Sequence, residues 1–521
     1  MSGFTVRFHP DGKTTEVEEG TLISEAAKQA GVPIRLPCGG RGRCGKCGVR
    51  IAPESDVPFD GCGMDRVLAC QTPVSYDAVI QVIRKESDST IAASDRRRVD
   101  AEDLTPLSGG LGLAVDIGTT TVGVSVLDLD KGVELYTAVG ENMQRIRGED
   151  VLSRIQYSED NGTGELRDLL LGTINGLLEW FEAPAEIDSV CISGNTVMTY
   201  LFLGRDPAPL RLPPYVPEFR ESEIKGSESG IRGVSADARV VCMPCSASYV
   251  GGDIASDIVF SGMDRSEDLC LLMDVGTNGE VALGNAEMML VCSSSAGPAF
   301  EGGNIASGMM ANPGAIDSVR IEDGRITYTV IGGSKPEGIC GSGIVDLVAQ
   351  LFLAGMIDKK GNMTGEAPYT EEDGERLLTV ADGINISESE IKHIIMTKAA
   401  IYSAARSMAK GLGTEFSDLD RIYIAGGFGK FIDTDSAIAI GLFPDVDRDR
   451  YQYLGNASLG GARQYLVSEG FRTRTTEAFR RMTYRDLGSD PVFFDEYSSA
   501  QFLPHTDSQQ FPSLFGPGKR V

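Results

Sequence analysis

The stretch GLAVDIGTTTVGVSVLDL, residues 112–129, places a Gly/Thr turn between two apolar runs. The first run ends at Asp116, and the turn that follows contains Gly118, Thr119 and Thr120. This pattern predicts a β-hairpin. Its turn offers glycine backbone and hydroxyls to phosphate oxygens, and its carboxylate can hold Mg²⁺. One such hairpin is weak evidence for a phosphate site, because Asp-Gly turns are frequent.

The same pattern returns in LCLLMDVGTNGEVALGN, residues 269–285. Asp274 ends the first apolar run, and the next turn contains Gly276, Thr277 and Asn278. The recurrence of this pattern at Asp274, far along the chain from Asp116, indicates an internal duplication at the scale of a domain. Two such hairpins in one chain are much stronger evidence for bound phosphate than one.

A third glycine-rich stretch is RIYIAGGFGKFID, residues 421–433. It leads an apolar strand into Gly426 and Gly427, where only small residues let a purine lie on the backbone. The three stretches together predict a nucleotide site.

These stretches, in this order, resemble the two phosphate motifs and the adenosine motif of the sugar kinase, Hsp70 and actin superfamily. The resemblance implies two duplicated α/β lobes that close on ATP. It also implies that Asp116 and Asp274 serve Mg²⁺, and that Gly426 and Gly427 border the adenine and ribose. Phosphate contacts are implied for six residues of the two turns: Gly118, Thr119, Thr120, Gly276, Thr277 and Asn278.

The N-terminal segment contains a different motif, built on cysteine. LPCGGRGRCGKCGV places Cys38, Cys44 and Cys47 in one glycine-rich loop, and RVLACQTPV adds Cys70. A [2Fe–2S] cluster needs four thiolates, and glycines let backbone N–H groups turn toward its sulfurs. A zinc site is the alternative, but structural zinc sites more often use two short cysteine pairs.

Cys62 is the rival of Cys70 for the fourth ligand position. Its surroundings, DGCGMD, predict a turn, whereas Cys70 ends the apolar run VLA, where a strand can fix its position. We therefore expect Cys70 to be the fourth ligand.

The sequence before the cysteines completes a recognisable order of elements. Alternating apolar and polar residues around PDG, residues 10–12, predict a hairpin. A helix is predicted over residues 21–30, with Thr21 or Ser24 as its N-cap. Hairpin, helix, cluster loop and returning strand resemble the β-grasp fold of plant- and adrenodoxin-type [2Fe–2S] ferredoxins over residues 3–87.

Further stretches match one group of the ATPase superfamily in detail. They are SGNTVM at 193–198, FLGRDPAPL at 202–210, YVGGDIASDI at 249–258, SSAGPAFEGGNIASGM at 294–309, GICGSGIVDLV at 338–348 and DLGSDPVFFDEYSSAQFLPHT at 486–506. With the ferredoxin-like segment, they resemble the reductive activators of corrinoid proteins, which are ATP-dependent activating enzymes of corrinoid methyltransferases and O-demethylases. Tyr200 departs from the histidine that relatives often have.

The predicted fold is a multidomain α/β chain in which a β-grasp [2Fe–2S] ferredoxin domain is joined to a duplicated actin-, Hsp70- and sugar-kinase-like ATPase. The predicted segments are a ferredoxin-type domain at 1–87, a linker at 88–110, a first ATPase lobe at 111–265, a second lobe with the adenosine motif at 266–485, and a C-terminal segment and tail at 486–521.

The resemblance implies a one-electron function. Corrinoid methyltransferases cycle through Co(I), which occasionally loses an electron to give inactive Co(II). The [2Fe–2S] cluster is expected to return that electron with the help of ATP and Mg²⁺, after reduction by an upstream low-potential donor. The partner is a corrinoid protein, and a homodimer through the ATPase domain is plausible by resemblance. Ser295, in an SSSAGP loop, is a candidate to approach the cobalt; the alternative is a plain turn.

Composition limits the other function classes. The formal charge of −27 argues against nucleic acid or an anionic membrane as a partner. The chain begins without a signal-peptide pattern, so we expect a cytoplasmic protein. With only three histidines, a His-based centre is not expected. Two rival functions stay open: a metabolite kinase with a regulatory ferredoxin domain, and a redox-sensing nucleotide switch.

Several other residues are weaker candidates. Cys242 and Cys245 have CxxC spacing, but buried packing is the favoured interpretation because no second pair supports a site. Lys398 could reach toward the nucleotide. Four carboxylates could position a hydrolytic water, and the sequence does not rank them: Glu149, Asp150, Asp253 and Glu280.

Overall fold

The structure is a computed structural model. It describes residues 3–9, 13–32, 34, 47–53, 65–82, 98–179, 181, 183, 185–213, 215–372, 374–427 and 432–515. The chain divides into two compact units. One contains Met1–Ser87 and Met143–Glu149, and the other contains Asp88–Asn142 and Asp150–Val521. Cys38, Cys44 and Cys62 lie outside the described residues.

The first unit contains a five-stranded sheet with the strand order β2-β1-β5-β3-β4. Its elements are β1 Gly3–His9, β2 Lys13–Glu18, α1 Ile23–Gln29, β3 Gly48–Pro53, β4 Asp65–Leu68 and β5 Ala78–Val82. β1 and β2 form the predicted antiparallel hairpin, and β5 returns parallel to β1. This is the expected order of hairpin, helix and returning strand.

The N-cap prediction for α1 was wrong. The helix begins after Leu22, whose side chain cannot cap, and no side-chain cap bond is formed there. The hydroxyl of Thr21 instead donates to the carbonyl of Glu18, 2.8 Å away. The helix is held by burial of Ile23 and Ala26 rather than by a polar cap.

The second unit begins with a six-stranded sheet ordered β10-β11-β9-β6-β7-β8. Its elements are β6 Leu111–Ile117, β7 Thr121–Asp128, β8 Val133–Glu141, α2 Val151–Asn161, α3 Gly164–Leu178, β9 Ile187–Gly194, α4 Thr196–Phe202, β10 Ser222–Lys225, α5 Gly226–Ser229, β11 Val234–Cys242 and α6 Gly252–Ser261. β6 and β7 are the two strands of the first predicted hairpin.

A second six-stranded sheet is ordered β22-β21-β12-β13-β14-β23, and two three-stranded sheets are ordered β16-β15-β17 and β18-β19-β20. The elements are β12 Cys270–Val275, β13 Gly279–Gly284, β14 Met289–Ser294, β15 Ala315–Glu322, β16 Arg325–Val330, β17 Gly338–Ile339, α7 Gly341–Leu353, β18 Tyr369–Glu372, β19 Glu375–Ala381, β20 Ile384–Ser387, α8 Glu388–Leu412, β21 Arg421–Ala425, α9 Thr434–Ile440, β22 Tyr451–Gly455, α10 Ala457–Val467, α11 Glu469–Arg481, β23 Met482–Tyr484, α12 Pro491–Ala500 and α13 Pro512–Phe515.

The two large sheets repeat one topology. In the first, β6, β7 and β8 are successive antiparallel neighbours, and β9 lies parallel to β6. In the second, β12, β13 and β14 are related in the same way, and β21 lies parallel to β12. The duplication predicted from the two glycine turns therefore extends to the sheets that carry them.

Helices α6 and α10 pack against each other next to both sheets. Their buried side chains share one core with residues of β6 and β12. Glycines permit the close approach, since a Cβ at Gly460 would lie 2.6 Å from the Phe260 ring. Although α10 falls in the segment predicted as the second lobe, it contacts β6 and β9 of the first sheet.

The described half of the predicted linker is packed on the ATPase unit. The N–H groups of Thr105 and Leu107 donate to the carbonyls of Val467 and Leu466, at 2.9 and 2.8 Å. Val99 is bonded in the same way to Gly132. Among the described residues, no helix has both the length and the apolar character needed to cross a membrane.

Candidate functional site

Cys47 and Cys70 meet in the first unit. Cys47 immediately precedes β3 and Cys70 follows β4, and the antiparallel pairing of these strands brings the two residues together. Both side chains are buried, and their sulfurs lie 3.2 Å apart without a disulfide. Two buried thiols that converge on one point fit a pair of cluster ligands.

The second unit contains a cavity of about 240 Å³ between the two phosphate turns. Nine of the ten residues predicted for the ATP site line it: Asp116, Gly118, Thr119, Asp274, Gly276, Thr277, Asn278, Gly426 and Gly427. The tenth, Thr120, is buried. Because equivalent strands of the two sheets end here, turns far apart in sequence face one space.

The carbonyl groups of the first turn are bonded to protein donors. Asn142 Nδ2 donates to the Gly118 carbonyl at 2.9 Å, and the Asn142 N–H donates to the Thr120 carbonyl at 2.8 Å. The guanidinium of Arg154, which is buried, donates to the Thr119 carbonyl. The negative ends of these peptide dipoles are therefore directed at the protein, an arrangement that favours an anion in the cavity.

The second turn is bonded to a different kind of neighbour. The Thr277 hydroxyl donates to the carboxylate of Glu301, and the Thr277 carbonyl accepts from the Gly297 N–H at 2.8 Å. The hydroxyls of Thr277 and Thr120 lie 2.5 Å apart, so the two turns touch.

Gly426 lies directly against the second turn. Its φ of +107° favours glycine, and a Cβ there would lie 2.5 Å from the Val275 carbonyl and 2.9 Å from Asp274 Oδ1. At Gly427, by contrast, no atom of the described residues beyond its chain neighbours lies within 4 Å of an added Cβ. The third glycine stretch thus closes on the second turn at Gly426, whereas Gly427 has no such close contact with a described residue.

Buried and half-buried carboxyl groups cluster in and around the cavity. Burial raises the pKa of Asp253 and of Asp274 to about 7 each, and the charge of Asp116 adds to both shifts. Burial also holds the pKa values of Asp257 and Glu280 well above the ordinary range. Such groups resist ionisation unless a cation is near.

This donor set fits Mg²⁺ bound together with a nucleotide. Among the described residues, no group of three or more His, Cys, Asp or Glu side chains has the geometry of a complete metal site. Mg²⁺ is usually held by one or two carboxylates together with phosphates and waters. Asp116 and Asp274, at the ends of equivalent strands, can supply the two carboxylates.

Sequence reasoning missed several residues that complete the cavity. Asn456 Nδ2 and Ser458 Oγ lie 2.8 and 2.6 Å from the carboxylate oxygens of Asp116. These bonds oppose the rise that burial causes in the pKa of Asp116. Asn195 Nδ2 donates to Thr119 Oγ1 at 3.1 Å. Glu301 also lines the cavity.

A signal for two of these residues was present in the sequence. Asn195 and Asn456 each follow a strand and serve as the N-cap of the next helix, α4 and α10. Ligands of α/β sheets bind beyond the carboxyl ends of the strands, where such caps lie. An Asn directly after an apolar strand could therefore have been added to the candidates.

The structure places only some of the weaker sequence candidates at the cavity. Asp253 and Glu280 line the cavity, whereas Asp150 caps α2 and Glu149 is not a lining residue. The buried ammonium of Lys398 donates to the carbonyls of Phe502 and Pro504, at 2.7 and 2.6 Å, so its predicted reach toward the nucleotide was wrong.

Ser295, Tyr200 and the CxxC pair lie away from the cavity lining. Ser295 is exposed in the loop after β14. Tyr200 is buried, and its hydroxyl accepts from the Glu218 N–H at 2.8 Å. Cys242 and Cys245 are both buried, and burial raises the pKa of Cys245 to about 11. Thiols held neutral in this way are poor nucleophiles and metal ligands.

Three family descriptions match successive parts of the chain. A "2Fe-2S iron-sulfur cluster binding domain" matches residues 8–75. The "RACo middle region" matches residues 111–266, and the "C-terminal domain of RACo the ASKHA domain" matches residues 268–515.

Similar proteins match over most of the chain. The corrinoid activation enzyme RamQ of Eubacterium limosum is 29% identical, over 92% of this chain and 96% of RamQ. The [Co(II) methylated amine-specific corrinoid protein] reductase of Methanosarcina barkeri is 24% identical, over 71% of this chain and 73% of that protein. A solved structure of a reductive activator for corrinoid, iron-sulfur protein is 34% identical, with a TM-score of 0.75, covering 98% of this chain and 100% of that one.

The fold and the site define an actin-, sugar-kinase- and Hsp70-type ATPase joined to a [2Fe–2S] ferredoxin domain. Within that class, the chain belongs to the reductive activators of corrinoid proteins. The fold class and the family resemblance predicted from the sequence are confirmed.

Proposed function

We propose that this protein reduces the inactive Co(II) of a corrinoid protein to Co(I) in an ATP-dependent, one-electron step. Its relatives include a protein named as a reductase of a Co(II) corrinoid protein. One observation carries the proposal: a single chain combines two convergent buried thiols with a cavity between duplicated phosphate turns. The reduced cluster gives up one electron and Co(II) gains it, so no other redox partner is needed in this step.

Cys38, Cys44, Cys47 and Cys70 are proposed to hold the cluster. The 3.2 Å separation of the Cys47 and Cys70 sulfurs supports two of these assignments. The bound cluster supplies a one-electron carrier of low potential. The buried position of both thiols keeps water from their side of the site, and the side-chain amide of Gln71 lies 3.6 Å from the Cys70 sulfur.

The cavity of the second unit is proposed to bind Mg²⁺ and ATP. Asp116 and Asp274 would hold the cation, and the two turns would hold the phosphates. The raised pKa values of Asp253 and Asp274 support a bound cation, because it would lower the cost of ionising buried carboxyl groups. Gly426 and Gly427 would border the nucleoside.

The proposed use of ATP is energetic. An unfavourable gap of ~100 mV costs about 2.3 kcal/mol for one electron. Coupling between a nucleotide site and a partner site is typically about 1–3 kcal/mol, which is enough to offset that gap. The ATPase unit is therefore proposed to bind the corrinoid protein differently in different nucleotide states.

The finer features of partner binding are also proposals. Ser295 is exposed, as a residue that approaches the cobalt must be. An upstream low-potential donor would reload the cluster. A homodimer through the ATPase unit is expected from the family resemblance alone.

Anaerobic mixing of the reduced protein with a Co(II) corrinoid protein tests the proposal. We expect the Co(I) absorption spectrum to appear with Mg²⁺ and ATP, and to be absent with the Cys47→Ser variant. The matched control is Cys340→Ser, which alters a buried thiol of the ATPase unit. ATP-dependent phosphorylation of a small alcohol without formation of Co(I) would contradict the proposal and favour a metabolite kinase.

A further inference from the structure

The second phosphate turn is bonded at two points to the segment that follows β14. The Thr277 hydroxyl donates to Glu301, and the Thr277 carbonyl accepts from Gly297. Gly297 directly precedes the 3-10 turn Pro298–Glu301, and Glu301 is its last residue. Because the Thr277 proton is directed at Glu301, the hydroxyl of Thr120 is the donor in the contact between the two turns. Thr277 thus joins the nucleotide cavity to the surface loop at 295–297.

We propose that Glu301 transmits the occupancy of the nucleotide cavity to loop 295–297, in which Ser295 is exposed. It is a positioning residue that acts through Thr277. This inference rests on the proposed function, because it requires a nucleotide in the cavity. It goes further by naming the route from the cavity to the surface that contains Ser295.

The negative charge of Glu301 makes its contact with Thr277 sensitive to a bound nucleotide. Glu301 lines the same cavity as the two phosphate turns, so its carboxylate would face the anionic phosphates of a bound nucleotide. Like charges in a partly buried site repel each other strongly. A phosphate oxygen also competes with Glu301 for the Thr277 hydroxyl, since phosphate and carboxylate oxygens are both charged acceptors and the hydroxyl has one proton to donate. Both effects move Glu301 away from Thr277 when a nucleotide binds.

Packing directs that movement to the surface. On the C-terminal side of Glu301 the backbone is closely packed, since a Cβ at Gly302 would lie 2.5 Å from the Met309 nitrogen. On the other side, a Cβ placed at Gly297, whose φ is +87°, would have no atom within 4 Å among the described residues other than the adjacent ones. Ser295, two residues earlier, is exposed. A displacement of Glu301 therefore passes to the loop rather than into the packed core.

Hydrogen–deuterium exchange of the full-length protein tests the route without any corrinoid partner. The peptide over residues 293–303 is followed with and without Mg²⁺ and a non-hydrolysable ATP analogue. In the wild-type protein we expect the analogue to change the exchange rate of this peptide by about fivefold or more, a size typical of coupled sites. In Glu301→Ala the change should fall below about twofold, because the contact that couples the sites is absent.

A second variant and an affinity measurement distinguish a lost coupling from misfolding of Glu301→Ala. Glu301→Gln keeps the size of the side chain but removes its charge, so it should bind the analogue about two- to fivefold more tightly in calorimetry. Its exchange response should be smaller than that of the wild-type protein. Glu287→Gln, in the exposed turn before β14, is the matched control and should behave as the wild-type protein does.

The outcomes separate the inference from the proposed function. If the wild-type protein binds the analogue and both Glu301 variants keep the full exchange response, the inference is overturned and the nucleotide site stands. If the wild-type protein does not bind the analogue at all, the proposed nucleotide site fails and the inference falls with it.

Discussion

The first phosphate turn, at Gly118, and the second, at Gly276, follow equivalent strands of the duplicated sheets, yet the side chains that support them have opposite hydrogen-bonding character. An amide and a buried guanidinium, from Asn142 and Arg154, bond the backbone of the first turn. A carboxylate, from Glu301, bonds the hydroxyl of the second. The side chains that support the first turn are therefore donors, whereas the side chain that supports the second turn is an acceptor that competes with phosphate.

This difference shows how a duplicated fold can divide two tasks. Donors that hold the carbonyls of the first turn away from the cavity favour an anion whether or not one is present. A carboxylate beside the second turn disfavours the anion and must move when it binds. We infer that the first turn mainly provides affinity for the nucleotide. The second turn mainly provides the structural response to nucleotide binding.

The largest expected effect is on ATP hydrolysis. It comes from Asp116 and Asp274, one carboxylate from each duplicated sheet. Asp116→Asn and Asp274→Asn should each lower the rate of ATP hydrolysis by about 100-fold or more, because a catalytic metal contributes several kcal/mol to transition-state stability. Phosphate release measures the rate. Asp268→Asn, in the exposed loop before β12, is the control and should be unaffected. Loss in only one of the two variants would show that the halves do not share a metal.

The stabilities of two glycine variants test whether the third glycine stretch packs against the second turn. Gly426→Ala should destabilise the ATPase unit by about 2 kcal/mol, because a Cβ there meets the second turn and φ is unfavourable. Gly427→Ala should change stability by less than about 0.5 kcal/mol, because an added Cβ there contacts none of the described residues beyond its neighbours. Thermal unfolding with and without nucleotide distinguishes them. Equal destabilisation would mean that the third stretch does not close on the second turn.

Nucleotide affinity should respond in opposite directions at the two turns. Asn142→Ala removes a hydrogen bond to the Gly118 carbonyl and should weaken binding of the ATP analogue by about five- to tenfold, equivalent to a bond of roughly 1 kcal/mol. Glu301→Gln should strengthen binding. Calorimetry measures both dissociation constants. If both variants weaken binding, the assigned difference between the turns is wrong.

The last prediction is a pH dependence of stability without nucleotide. An unfolded Asp titrates near ~3.9, while burial raises the pKa of Asp253 to about 7 in the folded protein. The folded state then binds more protons between these values, so the residue costs increasing stability as the pH rises from about 4 to about 7. The stability gained by Asp253→Asn should grow over this window and stay constant above it.

Thermal unfolding without Mg²⁺ or nucleotide, repeated across this pH range, measures the stability difference between the two proteins. Asp495→Asn, on the exposed side of α12, is the control and should show no such trend. A stabilisation by Asp253→Asn that is independent of pH would show that the carboxyl is not titrating in the folded protein.

Local sequence patterns predicted much of the fold. The hairpins around Gly118 and Gly276 could be predicted because an apolar run, a glycine turn and a second run are contiguous. The duplication followed from their recurrence. The side-chain cap predicted for α1 failed because burial of Ile23 and Ala26, which depends on the rest of the sheet, holds that helix.

The supports of the cavity depend on distant parts of the chain. Asn456 and Ser458 reach Asp116 from about 340 positions away in sequence, and no local pattern announces such a contact. The carboxylates Asp253 and Glu280 could be proposed but not ranked, since their burial beside Asp274 exists only in the folded protein. The roles of the cluster cysteines and of Ser295 stay predictions.

A single-turnover measurement tests the central claim most directly. The reduced protein is mixed anaerobically with excess Co(II) corrinoid protein, and the absorption of the cluster and of Co(I) is followed together. We predict one Co(I) formed for each cluster oxidised, only when Mg²⁺ and ATP are present, and no Co(I) with Asp274→Asn. Equal formation of Co(I) with and without ATP, or cluster oxidation without any Co(I), would contradict the account.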